Sequence, residues 1–224
     1  MEITLTRENI PYTILLNLET VSTHLPLEEV MNNIIPRKDS IILATIDVLD
    51  QRGIQGLTIK EIANRAGISE GAIFKHFKSK NDLISAVLDH FHMFDKEIKE
   101  TIEMKEINPR EAIVFIISSY ASYLESYPAL TALNEIMNEL TYEPELADKV
   151  MELYIGRVNF TKKLIEEAQA IGEINPKYDS EQLAIVIIGS YKEISLNWRF
   201  QNRGFLLSEE ITKTLDSLLT AFSH

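Results

Sequence analysis

Three helix-start signals, at Thr58, Ser69 and Ser79, crowd into the stretch between Gly53 and Leu83, and they constrain the fold more than any other feature of the chain. Thr58 with Glu61 makes a capping box, in which the threonine oxygen accepts from the amide three residues on and the glutamate reaches back to the cap amide. Ile59, Ile62, Ala63 and Ala66 then form an apolar face of two turns, closed by Gly67, since glycine enters the left-handed conformation after a helix end without a Cβ clash. Ser69 caps a third helix carrying Ile73, Phe74 and Phe77, and Ser79 with Asp82 starts a fourth that runs to about Met104. Upstream, Ile41, Val48 and Leu49 give a helical stripe that stops at Gly53.

Beyond this region the chain continues as punctuated amphipathic helices with no sustained period-two alternation, so an all-α protein is expected. Asn108 and Pro109 open a helix in the position proline prefers, and Ala112 to Ile117 is apolar all round, which predicts a central, buried helix. Further helices are expected at about 129–140, 144–171, 180–203 and 208–222, broken by Pro128, Pro144, Gly172, Pro176 and Gly204. The first 36 residues read as a strand or coil at Met1 to Thr6 and a short helix at Pro26 to Ile34, an extension of unknown role.

Charge is informative only when resolved along the chain. The formal net charge is −12, but residues 1–36 carry one basic against five acidic residues, 37–85 carry eight against six, and 86–224 carry 13 against 23. The segments are therefore −4, +2 and −10, and within 60–80 the count reaches five basic against two acidic residues. A basic island in an acidic protein is the electrostatic footprint of a nucleic-acid site. The absence of cysteine excludes disulfide scaffolds, thiolate metal sites and cysteine nucleophiles. The longest run free of Asp, Glu, Lys and Arg, the 13 residues Ala112 to Leu124, is too short for a membrane span of about 17–25 residues. With no basic-then-apolar leader near the start, a cytoplasmic address is expected.

Two short helices joined around Gly67 on that island have the layout of a helix-turn-helix, whose second helix enters the major groove by its N-terminal part. A plain helical corner inside a bundle would have the same outline. In the first case Glu70, Gly71, Ala72 and Lys75 face the bases. Lys80, at the first position of the fourth helix, has an ammonium and free backbone amides to offer a phosphate.

Residues 41–83, IILATIDVLDQRGIQGLTIKEIANRAGISEGAIFKHFKSKNDL, resemble the DNA-binding domain of the TetR family of transcriptional regulators. The shared pattern falls at Gly53, Thr58, Ile62, Ala63, Ala66, Gly67, Ile68, Ser69, Gly71, Ile73, Phe74, His76, Phe77, Ser79 and Lys80. The resemblance implies a three-helix DNA-binding domain at 37–83, with its motif at about 58–77, joined to a larger helical ligand-binding and dimerisation domain at 84–224. It implies DNA contacts from Thr58, Ser69, Lys75, His76 and Lys80, and core packing by Ile62, Ala63, Ile73 and Phe77. Phe74 stands where the family more often has Tyr, so a phenol contact to phosphate is lost and the side chain is expected only to pack. Thr45 and Leu49 depart from the usual Ala and Phe.

The expected partners are double-stranded DNA with a near-palindromic operator, an unknown small-molecule effector and a second copy of the chain, with no cofactor, no metal and no catalysis. Ile211, Leu215, Leu218, Leu219 and Phe222 form one stripe and Leu183 to Ile188 is apolar on nearly every side, so Leu183, Ile187, Tyr191, Ile211, Leu215, Leu218 and Phe222 are the expected dimer contacts. Phe91, Phe94, Tyr120, Tyr123, Met137, Tyr154, Phe160 and Trp198 are the candidate pocket lining, although aromatic residues at helical spacing are more often core. The acidic body favours a neutral or cationic effector. Asp89 and His92, three apart, could share a metal, but solvated or packed side chains are the plainer reading. Two alternatives stay open: an architectural DNA-binding protein without a small-molecule switch, and a helical protein that has lost DNA binding.

Overall fold

The computed structural model of the chain describes residues 37–223. The extension expected at 1–36 lies outside the described residues. Among the described residues all long elements are helices: α1 (Arg37–Arg52), α2 (Ile59–Arg65), α3 (Glu70–Phe74), α4 (Lys80–Met104), α5 (Pro109–Ser126), α6 (Thr131–Leu140), α7 (Ala147–Ala170), α8 (Ser180–Phe200) and α9 (Leu207–Phe222). A 3-10 turn, Pro128–Leu130, joins α5 to α6. The all-helical expectation holds, and most ends fall within a few residues of their signals. The exception with a clear cause is α8, which stops at Phe200 rather than at 203, because Asn202 and Arg203 already take the left-handed conformation at φ 51° and 61°. The Arg203 amide returns to the Trp198 carbonyl at 2.8 Å, closing the helix before Gly204 is reached.

The described residues form two compact units. One comprises 37–94 with 132–150, the other 95–131 with 151–223, so α4 contributes its first part to one and its last part to the other.

In the first unit α1 packs on α2 and α2 on α3. Ile41, Ile62, Ile73, Phe77 and Leu83 are 0–2% exposed and form the centre of a small core. Gly67 turns the chain between α2 and α3 at φ +63°, where any side chain would be strained. Thr58 and Ser69 cap as their positions predict, each accepting from the amide three residues on, at 3.2 Å.

In the second unit α5 packs against α8 and α9. Ala112, Ile113, Phe115, Ile116 and Ile117 are all buried, as an all-round apolar helix requires. This corrects one expectation: Leu183, Ile187, Tyr191, Ile211 and Leu215, read as dimer contacts, are 0–7% exposed inside the unit. A helix that is apolar on every side needs covering from several directions, and the stripes of α8 and α9 supply that cover within one chain. Leu218 and Phe222 are half-buried, the latter edge-on to Tyr178 with ring centroids 5.2 Å apart.

Candidate functional site

The helix-turn-helix leaves one end of α3 uncovered. Ser69, Glu70, Gly71, Lys75 and His76 are exposed and Ala72 is half-buried, so the residues expected to meet the bases share an accessible face. Thr58, at the start of α2, is exposed too. Gly71 is telling, because a Cβ built there would meet only Ser69 Oγ, at 3.9 Å. The protein's own packing gives no reason for glycine inside a helix, where it costs about 0.5–1 kcal/mol relative to alanine. A demand from outside, the close approach of another surface, gives one.

Phe74 differs from expectation. It is 54% exposed, so it does not pack as a core residue; α3 is only five residues long and turns Ile73 inward, which leaves the next side chain outward. A solvent-facing phenyl beside Lys75 and His76 can contact sugar or a thymine methyl without any hydroxyl.

The basic island is narrower than its composition suggests. Arg65 is held by Asp47, with Nε donating to Oδ2 at 2.8 Å, and Arg52 pairs with Glu61 at 3.2 Å. Lys80 is half-buried, and its Nζ donates to the Ile54 carbonyl at 2.9 Å. The first turn of α4 is also closed upon itself: Asp82 N donates to Ser79 Oγ at 3.0 Å and Lys78 N to Asp82 Oδ2 at 2.8 Å. The carboxylate therefore already occupies part of the place expected for a phosphate. Lys60, Lys75 and Lys78 are exposed with no side-chain partner among the described residues. Lys78 was missed by sequence reasoning. Its position in the turn after α3, between two residues of the shared pattern, was the signal available.

The remaining candidates fall in both units. Phe91 and Met137 are half-buried and Phe94 is buried, all within 37–94 and 132–150. In the other unit Tyr120, Tyr123 and Trp198 are buried. The Trp198 indole donates to the Phe205 carbonyl at 2.8 Å and so holds the turn between α8 and α9. Phe160 lies under the Lys99 ammonium, 5.1 Å from its centroid, while Tyr154 is 39% exposed. Asp89 takes the Lys149 ammonium at 2.7 Å. No group of three metal-ligating side chains occurs among the described residues.

What the second unit does bring together is polar. Asp95 is buried and accepts from Tyr120 Oη at 2.7 Å through one oxygen and from Arg157 Nε at 2.7 Å through the other. The Arg157 guanidinium also stacks 4.9 Å from the Tyr120 centroid, and Tyr191 leans on the same ring at 5.6 Å. Burial, followed by the Asp95 charge and hydrogen bond, pushes the Tyr120 phenol well up, while Arg157 works in the other direction. Lys192, adjacent to Tyr191, places its ammonium 5.5 Å from the Tyr154 centroid, and burial together with the neighbouring Arg157 charge lowers its pKa. Sequence reasoning found the aromatic members of this cluster and none of the charged ones, because their partners lie far apart along the chain.

Comparison with known proteins bears on both parts. Residues 41–87 match the family model described as bacterial regulatory proteins, tetR family, and residues 86–221 match that of the YsiA-like protein, C-terminal region. The fatty acid metabolism regulator protein of Bacillus subtilis is 26% identical over 84% of this chain and 97% of its own. The transcriptional repressor BepR of Brucella suis is 25% identical over 81% of this chain and 91% of its own. Among solved structures, the fatty acid degradation regulator FadR of Bacillus halodurans superimposes with a TM-score of 0.72 at 22% identity, covering 83% of this chain and 95% of that one. FadR of Bacillus subtilis in complex with stearoyl-CoA gives 0.70 at 24%, over 81% and 97%. Both structural likenesses concern the fold.

Proposed function

The chain belongs to the TetR family of bacterial regulatory proteins, and from that premise we propose that it is a cytoplasmic transcriptional repressor that binds a near-palindromic operator as a homodimer and releases it when a small molecule binds. Residues 37–83 act as the DNA-binding domain and 84–224 as the regulatory and dimerisation domain. The observation that carries the reading is the uncovered end of α3, where Gly71 has no packing reason to be glycine and Lys75 has no side-chain partner among the described residues. Ser69, Glu70, Gly71, Ala72 and Phe74 read bases and sugars, while Thr58, Lys60, Lys75, His76 and Lys78 meet phosphates. Lys80 positions the first turn of α4 and reaches phosphate with the donors left free by Ile54.

The dimer forms through the face that α8 turns away from its own core. Ile185 and Val186 are 47% and 45% exposed, and Gly189, one turn on, would have nothing within 4 Å of an added Cβ. An exposed apolar turn followed by a helical glycine suits the close packing of a second helix. A symmetric dimer of this kind calls for two half-sites about one DNA turn apart.

The effector is a mostly apolar molecule of the fatty acyl class, taken up within 95–131 and 151–223. The relatives that regulate fatty acid metabolism support this class, as does the stearoyl-CoA held by the Bacillus subtilis FadR structure. Only a difference in affinity between two conformations can make such a ligand release DNA. The test is capture of fragments from the source genome followed by footprinting. Protection of two half-sites with a shared centre is expected, and retention of no fragment above non-specific background overturns the reading.

A further inference from the structure

We propose that Lys149 is a positioning residue for operator binding: its ammonium fixes the first turns of α4, and with them the helix-turn-helix, against the segment that joins α6 to α7 in the same unit. The inference rests on the operator reading above and adds to it a residue that lies outside the DNA-binding domain in sequence.

The Lys149 ammonium is fully engaged. Its Nζ donates to Ser85 Oγ at 2.7 Å and to the Ser85 carbonyl at 3.1 Å, and it stands 2.7 Å from Asp89 Oδ1. Those are three acceptors for the three N–H donors that a lysine carries. Ser85 and Asp89 are one turn apart on α4, so two successive turns hold the same ammonium. An exposed two-atom ion pair contributes little. Here the Lys149 side chain is only 27% exposed, and its bonds to carboxylate, hydroxyl and carbonyl are directional as well as attractive.

A second tie repeats the register. Asn81 Nδ2 donates to Glu145 Oε2 at 3.0 Å, and each partner precedes its counterpart in the first tie by four residues. The start of α4 and the chain entering α7 therefore advance in step. Leu146 and Val150 near Lys149 are buried within the unit, as are Ile84 and Leu88 near Ser85. Aliphatic attraction of this kind is non-directional and tolerates a slide or a tilt. The Lys149 bonds do not, because hydrogen bonds weaken steeply once a donor moves by about 1 Å.

What this register supports is the DNA-binding end of the unit. Lys80, the first residue of α4, donates to the Ile54 carbonyl at 2.9 Å, and Leu83 is fully buried, so the base of α4 moves with α2 and α3. Releasing α4 from the α6–α7 segment leaves the helix-turn-helix folded but less firmly oriented. An operator with two half-sites requires both to be met at once, and looseness in the support of each is lost as affinity. Non-specific binding follows charge instead.

The test measures the affinity of the full chain for the footprinted operator and for an unrelated duplex of equal length across a salt series. The native protein is compared with Lys149→Met, Asp89→Asn and the double variant. Lys149→Met should lower operator affinity about five- to twenty-fold, hold affinity for the unrelated duplex within about two-fold, and keep the native salt slope on both. The ratio of the two affinities is the readout, since it does not depend on the fraction of protein that is folded. Asp89→Asn, at an exposed side chain, should lower the same ratio about two- to five-fold, and it decides the matter if Lys149→Met folds poorly. The double variant should be no worse than Lys149→Met, because both act through one contact. An unchanged ratio, additive losses in the double variant, or a salt slope reduced by about one unit in Lys149→Met overturns the positioning role, the last by showing a direct phosphate contact. A native protein that prefers no genomic fragment overturns the operator reading and this inference together.

Discussion

The ammonium of Lys80, the first residue of α4, donates to the backbone carbonyl of Ile54 at 2.9 Å and ties the loop after α1 to the helix that follows the recognition helix. Lys80 therefore serves the fold before it serves DNA, unlike Lys75 and Lys78, whose side chains are unengaged among the described residues. Lys75→Ala and Lys78→Ala should each flatten the salt dependence of operator affinity by about one unit and leave unfolding unchanged. Lys80→Ala should cost about 1 kcal/mol of unfolding free energy and change the salt slope less. Affinity across a salt series, with urea titrations alongside, separates them; a full unit of slope lost by Lys80→Ala without destabilisation would show that the tether is unimportant.

Gly71→Ala should leave stability unchanged or raise it by about 0.5–1 kcal/mol, since the added methyl meets nothing closer than 3.9 Å. Operator affinity should nevertheless fall at least about ten-fold, the equivalent of about 1.4 kcal/mol, if this is where DNA comes closest. Phe74→Ala should behave alike, within about 0.5 kcal/mol in stability because the ring is exposed. Thermal melts and gel-shift titrations of both variants read the two effects, and unchanged affinity in both would place DNA elsewhere.

Asp95→Ala should destabilise the protein by about 3–5 kcal/mol, because it removes the buried carboxylate that pairs with the Arg157 guanidinium at 2.7 Å. Adding Arg157→Met should recover much of that loss, as an apolar replacement of a buried pair is often near neutral. Urea unfolding of the two single variants and the double variant measures the coupling; additive losses would mean that the pair contributes nothing as a pair.

His90 gives stability a pH dependence of known sign. Burial lowers its pKa below 6.5, partly opposed by Asp39, so between the folded value and 6.5 the unfolded chain binds more protons. Stability from this group is full above 6.5 and is lost as pH falls through that window. Melting temperatures from about pH 7 down to about pH 5 should fall less steeply in His90→Gln than in the native protein. Parallel curves would remove His90 as the cause.

Much of this was legible in sequence. Thr58, Ser69 and Ser79 cap helices in the structure because capping is a local bargain between a side chain and amides three residues on. The basic island was visible as composition, whereas the capture of Arg65 by Asp47, eighteen residues away, was not. Periodicity found the stripes of α8 and α9, yet an apolar stripe looks the same whether it meets its own chain or another. Leu215 turned out to be core, while Ile185 and Val186 of α8 are exposed. Asp95, Arg157 and Lys192 had no local signature, since their meeting depends on three helices folding together.

Linkage between effector and operator is tested most directly by titrating operator affinity against stearoyl-CoA in the full chain. The predicted result is a saturable 5- to 150-fold loss of affinity, about 1–3 kcal/mol of coupling, with the operator weakening stearoyl-CoA binding by the same factor. Saturating stearoyl-CoA that is bound by the protein yet leaves operator affinity unchanged would contradict it.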